Sequence, residues 1–470
     1  MPPNSRYVTC AHEDGSATPL LLAQPGKTHR SKWKPVSQLV ILSLVYMIGY
    51  APFDTMWNLE GILFPEYGYY ALMCTYLGSF LIFLVGPFLT RKLGSKGSIM
   101  LGWVAQAAYV AAHFYIQPYL LYTVCILFGT AHCQSTISTG VYVTHLAMDY
   151  ADITHDTPHH ALGLFQGVFF TVYLLSGVWG NLVSSLVLVK PIEFDGNSTT
   201  PNSKNLSSLC GPNFCHFEDT SGTYIRQPDQ ITVYILLGSF IGMSALALFT
   251  TGAFLENAAA KSGDAVQSVK EFGAKIIGLL WYKKMLLLLP GIFLFSISQY
   301  FIHSEFTKAF VSCELGIEYN GWSIICFAMG DFFGSVVNGR LVKYVGMAFL
   351  FLVAAATDFV CLFSMLFFHF SRETVEFFFL VPFFWGLADS IWAVQITAYI
   401  GKLFPDEKWP AFLIQRSSMY ALTALLFAIT NFICLNAMIY TVMGIITCGL
   451  VCLTAFELLH RHGKKHYTAI

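Results

Sequence analysis

The chain has 470 residues, of which 55% are hydrophobic and 11% charged, and its mean hydropathy is +0.59. Soluble domains carry about 25% charge, so this composition excludes a soluble globular protein and calls for a bilayer to take up the apolar surface. A net charge of −1 excludes an electrostatic nucleic-acid binder.

Residues 1–35 are polar and read as a cytosolic tail. No cleavable leader is visible, and the first apolar run is long enough to act as its own insertion signal. A membrane helix needs about 20 apolar residues. Runs of that kind fall near 36–56, 68–90, 98–116, 118–145, 161–188 and 231–255. Six more fall near 285–303, 320–340, 346–369, 374–402, 411–435 and 437–459. The total of twelve depends on splitting 98–145 at Gln117 and Pro118, and 411–459 near Asn436. Either stretch is too long for one crossing. The expected fold is therefore an all-α polytopic membrane protein with twelve transmembrane helices in two six-helix bundles, 36–255 and 285–459, with a short tail at 460–470.

The long polar loop at 189–230 holds two N-glycan acceptor patterns, at Asn197 and Asn205. It also holds Cys210 and Cys215, which an oxidising compartment would allow to pair. Such a pair needs Cα atoms within about 7 Å. Cys313, also expected outside, is a rival partner. The link at 256–284 places Val266, Val269, Phe272, Ile276 and Leu280 at helical spacing, which predicts an amphipathic helix on the inner leaflet. With the N-terminus inside, 21 Lys and Arg residues fall on the cytosolic side and 5 (Lys190, Lys204, Arg226, Lys308, Arg372) outside. The positive-inside rule then puts both termini in the cytosol.

The two halves echo each other. Leu89, Arg91 and Gly94 match Leu341, Lys343 and Gly346 at a constant offset of 252 positions. Six plus six helices, with a basic glycine turn after the second and the eighth, resembles the plan of the major facilitator superfamily. That resemblance implies a central cavity lined by helices 1, 4, 7 and 10.

Polar residues do gather on those helices: Asp54 and Asn58; His132, Gln134, Thr136 and Ser138; Gln299, His303 and Glu305; Asp389 and Gln395. Polar groups at membrane depth need partners or a wet cavity. Asp54, Asn58, His303 and Glu305 stand near predicted helix ends, where solvation is the plainer reading. Asp389 lies mid-span between Trp385 and Trp392 on one helix face, so a cavity or an interhelical contact is expected there. Asp331, between Gly330 and Gly334, reads as part of a close helix contact. The loop and tail histidines lack metal-ligand companions. No phosphate loop, catalytic triad or zinc spacing occurs, so neither an enzyme nor a cofactor is expected.

Further motifs carry a narrower likeness. They are Ser176–Leu182, the Cys210 and Cys215 pair, Ser304–Lys308 with Cys313–Gly316, and Trp385–Trp392. Together these resemble the Unc-93 family, a branch of the major facilitator superfamily, and they spread over most of the chain. The resemblance implies an accessory subunit of a membrane partner such as a potassium channel, or an escort of other membrane proteins, at the plasma membrane or in endosomes. The alternative is a secondary transporter of an unidentified small solute. Active facilitators place an Asp-Arg pair in the helix 2–3 turn. Here those positions hold Arg91 and Lys92, and in the second half Lys343 and Tyr344. The gate acid is absent from both, which argues against an ordinary alternating-access cycle.

Overall fold

The computed structural model describes residues 31–83, 85–189, 210–215, 225, 227–257, 269–404 and 407–467. Nearly all of them are helical. The first crossing is α1 (Trp33–Gly49) and α2 (Ala51–Leu63), bent at Tyr50. There Pro52 sits in the first turn of α2, where a missing N–H is harmless. Next come α3 (Gly68–Leu81), α4 (Gly86–Ala112) and α5 (Pro118–Thr154). The fifth crossing is broken at Leu174 into α6 (Pro158–Tyr173) and α7 (Leu175–Leu188), and α8 (Gln230–Phe254) is next among the long helices. After α9 (Val269–Leu280), α10 (Lys283–Tyr300) continues without a break into a π-helical segment, Phe301–Ser312. The remaining helices are α11 (Asn320–Val345), α12 (Met347–Phe367), α13 (Phe377–Leu403), α14 (Lys408–Ile429) and α15 (Leu435–Tyr467).

Among the described residues, ten helices are long and apolar enough to cross a membrane. The expected spans at 68–90 and 98–116 account for the shortfall from twelve. The first is only the 14-residue α3. The second is α4, which begins earlier than expected and takes the basic turn into its own first turns. The bend comes at Gly94, whose φ of 72° favours glycine, and Gly346 does the same at φ 80°. The splits at Pro118 and before Asn436 stand, because α5 opens on Pro118 and α15 opens on Leu435.

Helices α1–α8 pack mainly on one another, as do α10–α15, and the two sets meet through α3 on α14, α7 on α11 and α2 on the π-helical segment. One apolar core runs across both sets, from Met56 and Leu72 to Ile297 and Trp385. Glycines draw the tightest helix pairs together. A Cβ on Gly78 would lie 2.3 Å from the Ile126 carbonyl oxygen, and one on Gly129 1.9 Å from that of Thr75, so α3 and α5 touch backbone to backbone. A Cβ on Gly330 would lie 2.0 Å from the Phe383 oxygen and one on Gly386 2.2 Å from that of Phe327, the same kind of contact between α11 and α13. Gly330 stands 252 positions after Gly78, the offset of the repeat.

The expected pairing of Cys210 with Cys215 does not form. Cys210 is joined to Cys313 and Cys215 to Cys434, with Cα separations of 5.7 and 4.2 Å. Gly211–Asn213 form a 3-10 turn that aims the two thiols at different partners. Between them Phe214 is buried, and its carbonyl accepts from Leu435 N at 2.9 Å. The amphipathic α9 does not lie on lipid alone. It packs against α14, with Leu279 buried and Ile276 against the cluster of Phe83 and Leu413. Val266, Asn197 and Asn205 lie outside the described residues.

Candidate functional site

Two of the resemblance motifs, Ser176–Leu182 and the segment that holds Ser304–Lys308, meet at a polar and aromatic seam. Its centre is Asn58 on α2, which is 2% exposed. Its Nδ2 donates to Asn181 Oδ1 on α7 at 3.0 Å, and its Oδ1 is 2.5 Å from His303 Nδ1 on the π-helical segment. Asn320 Nδ2 of α11 reaches the Asn58 carbonyl at 3.4 Å. Four elements from the two halves thus meet on one residue. Beside it the Trp57 and His303 rings stack at 4.4 Å, interplanar angle 6°. Asp54, half-buried, accepts from Ser176 Oγ at 2.6 Å. Small residues allow this approach: a Cβ on Gly180 would lie 2.6 Å from the Ala51 oxygen, and one on Gly321 2.3 Å from that of Asn181.

The solvated reading of Asn58, His303 and Glu305 is therefore corrected, since all three are buried. The reason is local. The seventh crossing does not stop at residue 303 but winds on as a π-helix to Ser312, and every residue of that segment is buried. A π-helix hydrogen-bonds i to i+5 and is rare outside short bulges. The five-residue register brings Tyr300 Oη over Glu305 Oε1 at 2.5 Å, and Tyr300 also bonds Thr430 just past the end of α14. Lys308, counted outside from the sequence, is 2% exposed, with Nζ 4.9 Å from the Tyr69 ring centre and 5.8 Å from that of Phe214.

Of the other polar residues expected on the cavity helices, Thr136 lines a cavity between the halves, while His132, Gln134 and Asp389 hold helices together. His132 Nε2 is 3.1 Å from Tyr50 Oη. Gln134 Nε2 donates to Thr90 Oγ1 at 2.8 Å, tying α5 to α4. Asp389 is 1% exposed and accepts from Ser298 Oγ at 2.9 Å and from Gln299. Trp385 Nε1 donates to the same Ser298 at 2.8 Å. Trp392 Nε1 donates to Asp358 Oδ2 on α12 at 2.8 Å. Asp331 bonds Ser335 one turn along its own helix. Among the described residues no cluster of His, Cys, Asp and Glu could hold a metal ion.

The sequence reading missed three features. Asp358 stands alone in an apolar run, with no neighbour to mark it as the partner of Trp392. Glu60 and His113 form a fully buried pair at 2.8 Å, and Tyr109 donates to the same carboxylate. The i, i+4 spacing of Tyr109 and His113 was the available signal. Cys434 falls at the end of the expected span 411–435, where nothing in the sequence marks it as a disulfide partner.

Comparison with known proteins agrees with this architecture. Among solved structures, a mutant of the nucleoside transporter NupG superposes with TM-score 0.62 at 10% identity, covering 90% of this chain and 99% of its own. A D-xylose-proton symporter gives TM-score 0.61 at 10% identity, covering 91% and 97%. At such identity these establish a major-facilitator-like fold and nothing more. The human protein unc-93 homolog A is 28% identical over 429 residues, 89% of this chain and 92% of its own. The putative potassium channel regulatory protein unc-93 of Caenorhabditis elegans is 24% identical over 84% of this chain and 56% of its own length. The family model described as ion channel regulatory protein UNC-93 matches residues 61–456. That match spans the π-helical segment, both glycine contacts and the α7 and α11 sides of the seam, and the chain belongs to the UNC-93 family of ion channel regulatory proteins.

Proposed function

We propose that the protein is a non-enzymatic regulatory subunit of a membrane channel, a potassium channel being the partner favoured by the name of the worm relative. The observation that carries this reading is the state of Asp389. Its carboxylate is spent on Ser298 and Gln299 inside the bundle, and it does not line the cavity between the halves. A coupling acid for transport needs access to a changing aqueous path. The missing gate acids support the same reading. Purification from native membranes under mild detergent is expected to bring down a channel in fixed stoichiometry. A protein that purifies alone, and whose deletion leaves every membrane current unchanged, overturns the proposal.

The second reading, a solute carrier, draws on the major-facilitator-like fold. It predicts pH-dependent uptake that Asp389→Asn abolishes.

The proposed topology has twelve crossings, cytosolic termini and an extracellular disulfide face, at the plasma membrane. Basic-residue asymmetry and the need of disulfides for an oxidising compartment support it. Asn197 and Asn205 are proposed glycan sites on that face. Surface biotinylation and a glycosidase mobility shift, lost in the Asn197→Gln and Asn205→Gln double variant, test both points.

A further inference from the structure

On the other side of the seam, toward the face where α1, α6 and α14 begin, lies a cavity of about 330 Å3. It is bounded by α1, α5 and α6 of one half and α14 of the other. None of the residues that form the seam lines it. Its walls are largely aromatic, with Tyr50 and Tyr173 in edge contact at 4.8 Å and Tyr46 and Phe169 at 5.5 Å.

Arg416, two turns into α14, is the one charged residue among those lining the cavity. Among the described residues no carboxylate forms an ion pair with it. Asp54, one turn along from Tyr50, does not line the cavity and is turned to Ser176. Arg416 is exposed rather than buried, so its guanidinium is open to an anion that enters the cavity. Its planar fork matches carboxylate and phosphate oxygens. The volume falls at the lower end of small-molecule sites, which are mostly apolar with a few fixed polar groups.

We infer that this cavity binds an amphipathic monoanion, its charged head on Arg416 and its apolar body against the tyrosine and phenylalanine walls. The head is a carboxylate, sulfonate or phosphodiester, carried by a free organic acid or by an anionic lipid. The inference goes beyond the regulatory reading and does not depend on it.

The full-length protein in phosphatidylcholine nanodiscs is titrated with radiolabelled 1-naphthoate and, separately, with neutral 1-naphthamide. Saturable binding of naphthoate is expected, with naphthamide roughly tenfold weaker or more, the worth of one charged hydrogen-bonded pair. Arg416→Gln should erase that preference. Gly140→Phe is the second variant. Gly140 lines the cavity and a Cβ there meets nothing within 4 Å, so the ring fills the space without disturbing Arg416. It should abolish binding of both compounds. Nanodiscs doped with phosphatidylglycerol separate the sources: competition with naphthoate that is lost in Arg416→Gln assigns the head to a lipid, and no competition assigns it to a free acid. Naphthoate preference that survives Arg416→Gln, undiminished binding to Gly140→Phe, or no saturable binding at all overturns the proposal.

Discussion

Replacing Gly330 with alanine tests the glycine contacts directly. The new Cβ would start 2.0 Å from the Phe383 carbonyl oxygen, and real Cβ atoms essentially never come under 3.0 Å. Helix α11 must therefore move away from α13 by at least about 1 Å. Both partners are backbone, so no side chain can swing aside. The displacement also strains the Asn338 Nδ2 to Ser390 Oγ bond, now 2.8 Å, on the same pair of helices. Overpacking of this kind costs about 3 kcal/mol at its upper range. Alanine returns about 1 kcal/mol in helix propensity, leaving a net loss of about 2 kcal/mol. Gly163→Ala is the control, because a Cβ there meets nothing within 4 Å. It should gain about 1 kcal/mol by propensity alone. The assay is the apparent melting temperature of each variant in one detergent, with Gly78→Ala as the counterpart in the first half. Gly330→Ala and Gly78→Ala should melt clearly below the native protein, and Gly163→Ala at or above it. Equal melting of Gly330→Ala and Gly163→Ala would refute the backbone-contact argument.

Other expectations are more local. Peptide mapping without reduction should recover Cys210 linked to Cys313 and Cys215 to Cys434; a Cys210–Cys215 peptide would contradict the structure. Removing the first link by Cys210→Ser with Cys313→Ser, separation 103, should cost up to about 4.7 kcal/mol in the chain-entropy account. Asn58→Leu leaves the buried side chains of His303 and Asn181 without a shared partner, for a loss of about 1–3 kcal/mol each. The same melting assay reads it, and an unchanged melting point would deny Asn58 its bridging role. Asp358→Leu strands the Trp392 N–H at a similar cost, whereas Asp358→Asn keeps an acceptor and should recover most of the stability.

Hydropathy placed the crossings well because a bilayer demands long apolar runs, and the prolines and the repeat supplied several breaks. It failed where the backbone departs from the α-helix. The π-helical segment carries Glu305 and Lys308 in a short apolar setting, which reads like a solvated helix end. Only the pairing with Tyr300, Tyr69 and Phe214, remote in sequence or one wider turn away, reveals burial. Small-residue patterns do not by themselves locate a contact. Gly163 and Gly167 look like Gly330 and Gly334 in sequence, yet a Cβ at either of the first two meets open space. Which face of a helix finds a neighbour is a tertiary fact. The bias of polar residues toward helices 1, 4, 7 and 10 was legible, and so was an interhelical contact as one of the two expectations for Asp389; the partners themselves, Ser298 and Gln299, were not. The aromatic cavity draws on helices 1 and 4, as expected, but on 5 and 11 in place of 7 and 10, and Arg416 counted as one more cytosolic cation.

The two disulfides also change what joins the molecule into one piece. Cys210 and Cys215 precede the 256–284 link, and Cys313 and Cys434 follow it. A cut anywhere in that link divides the polypeptide but not the covalent structure. The halves stay bonded on the opposite face until a reductant is added. A proteolysed sample should therefore keep its full mass on a non-reducing gel and fall into two fragments only on reduction. Co-expressed halves able to oxidise should find each other again as one linked species.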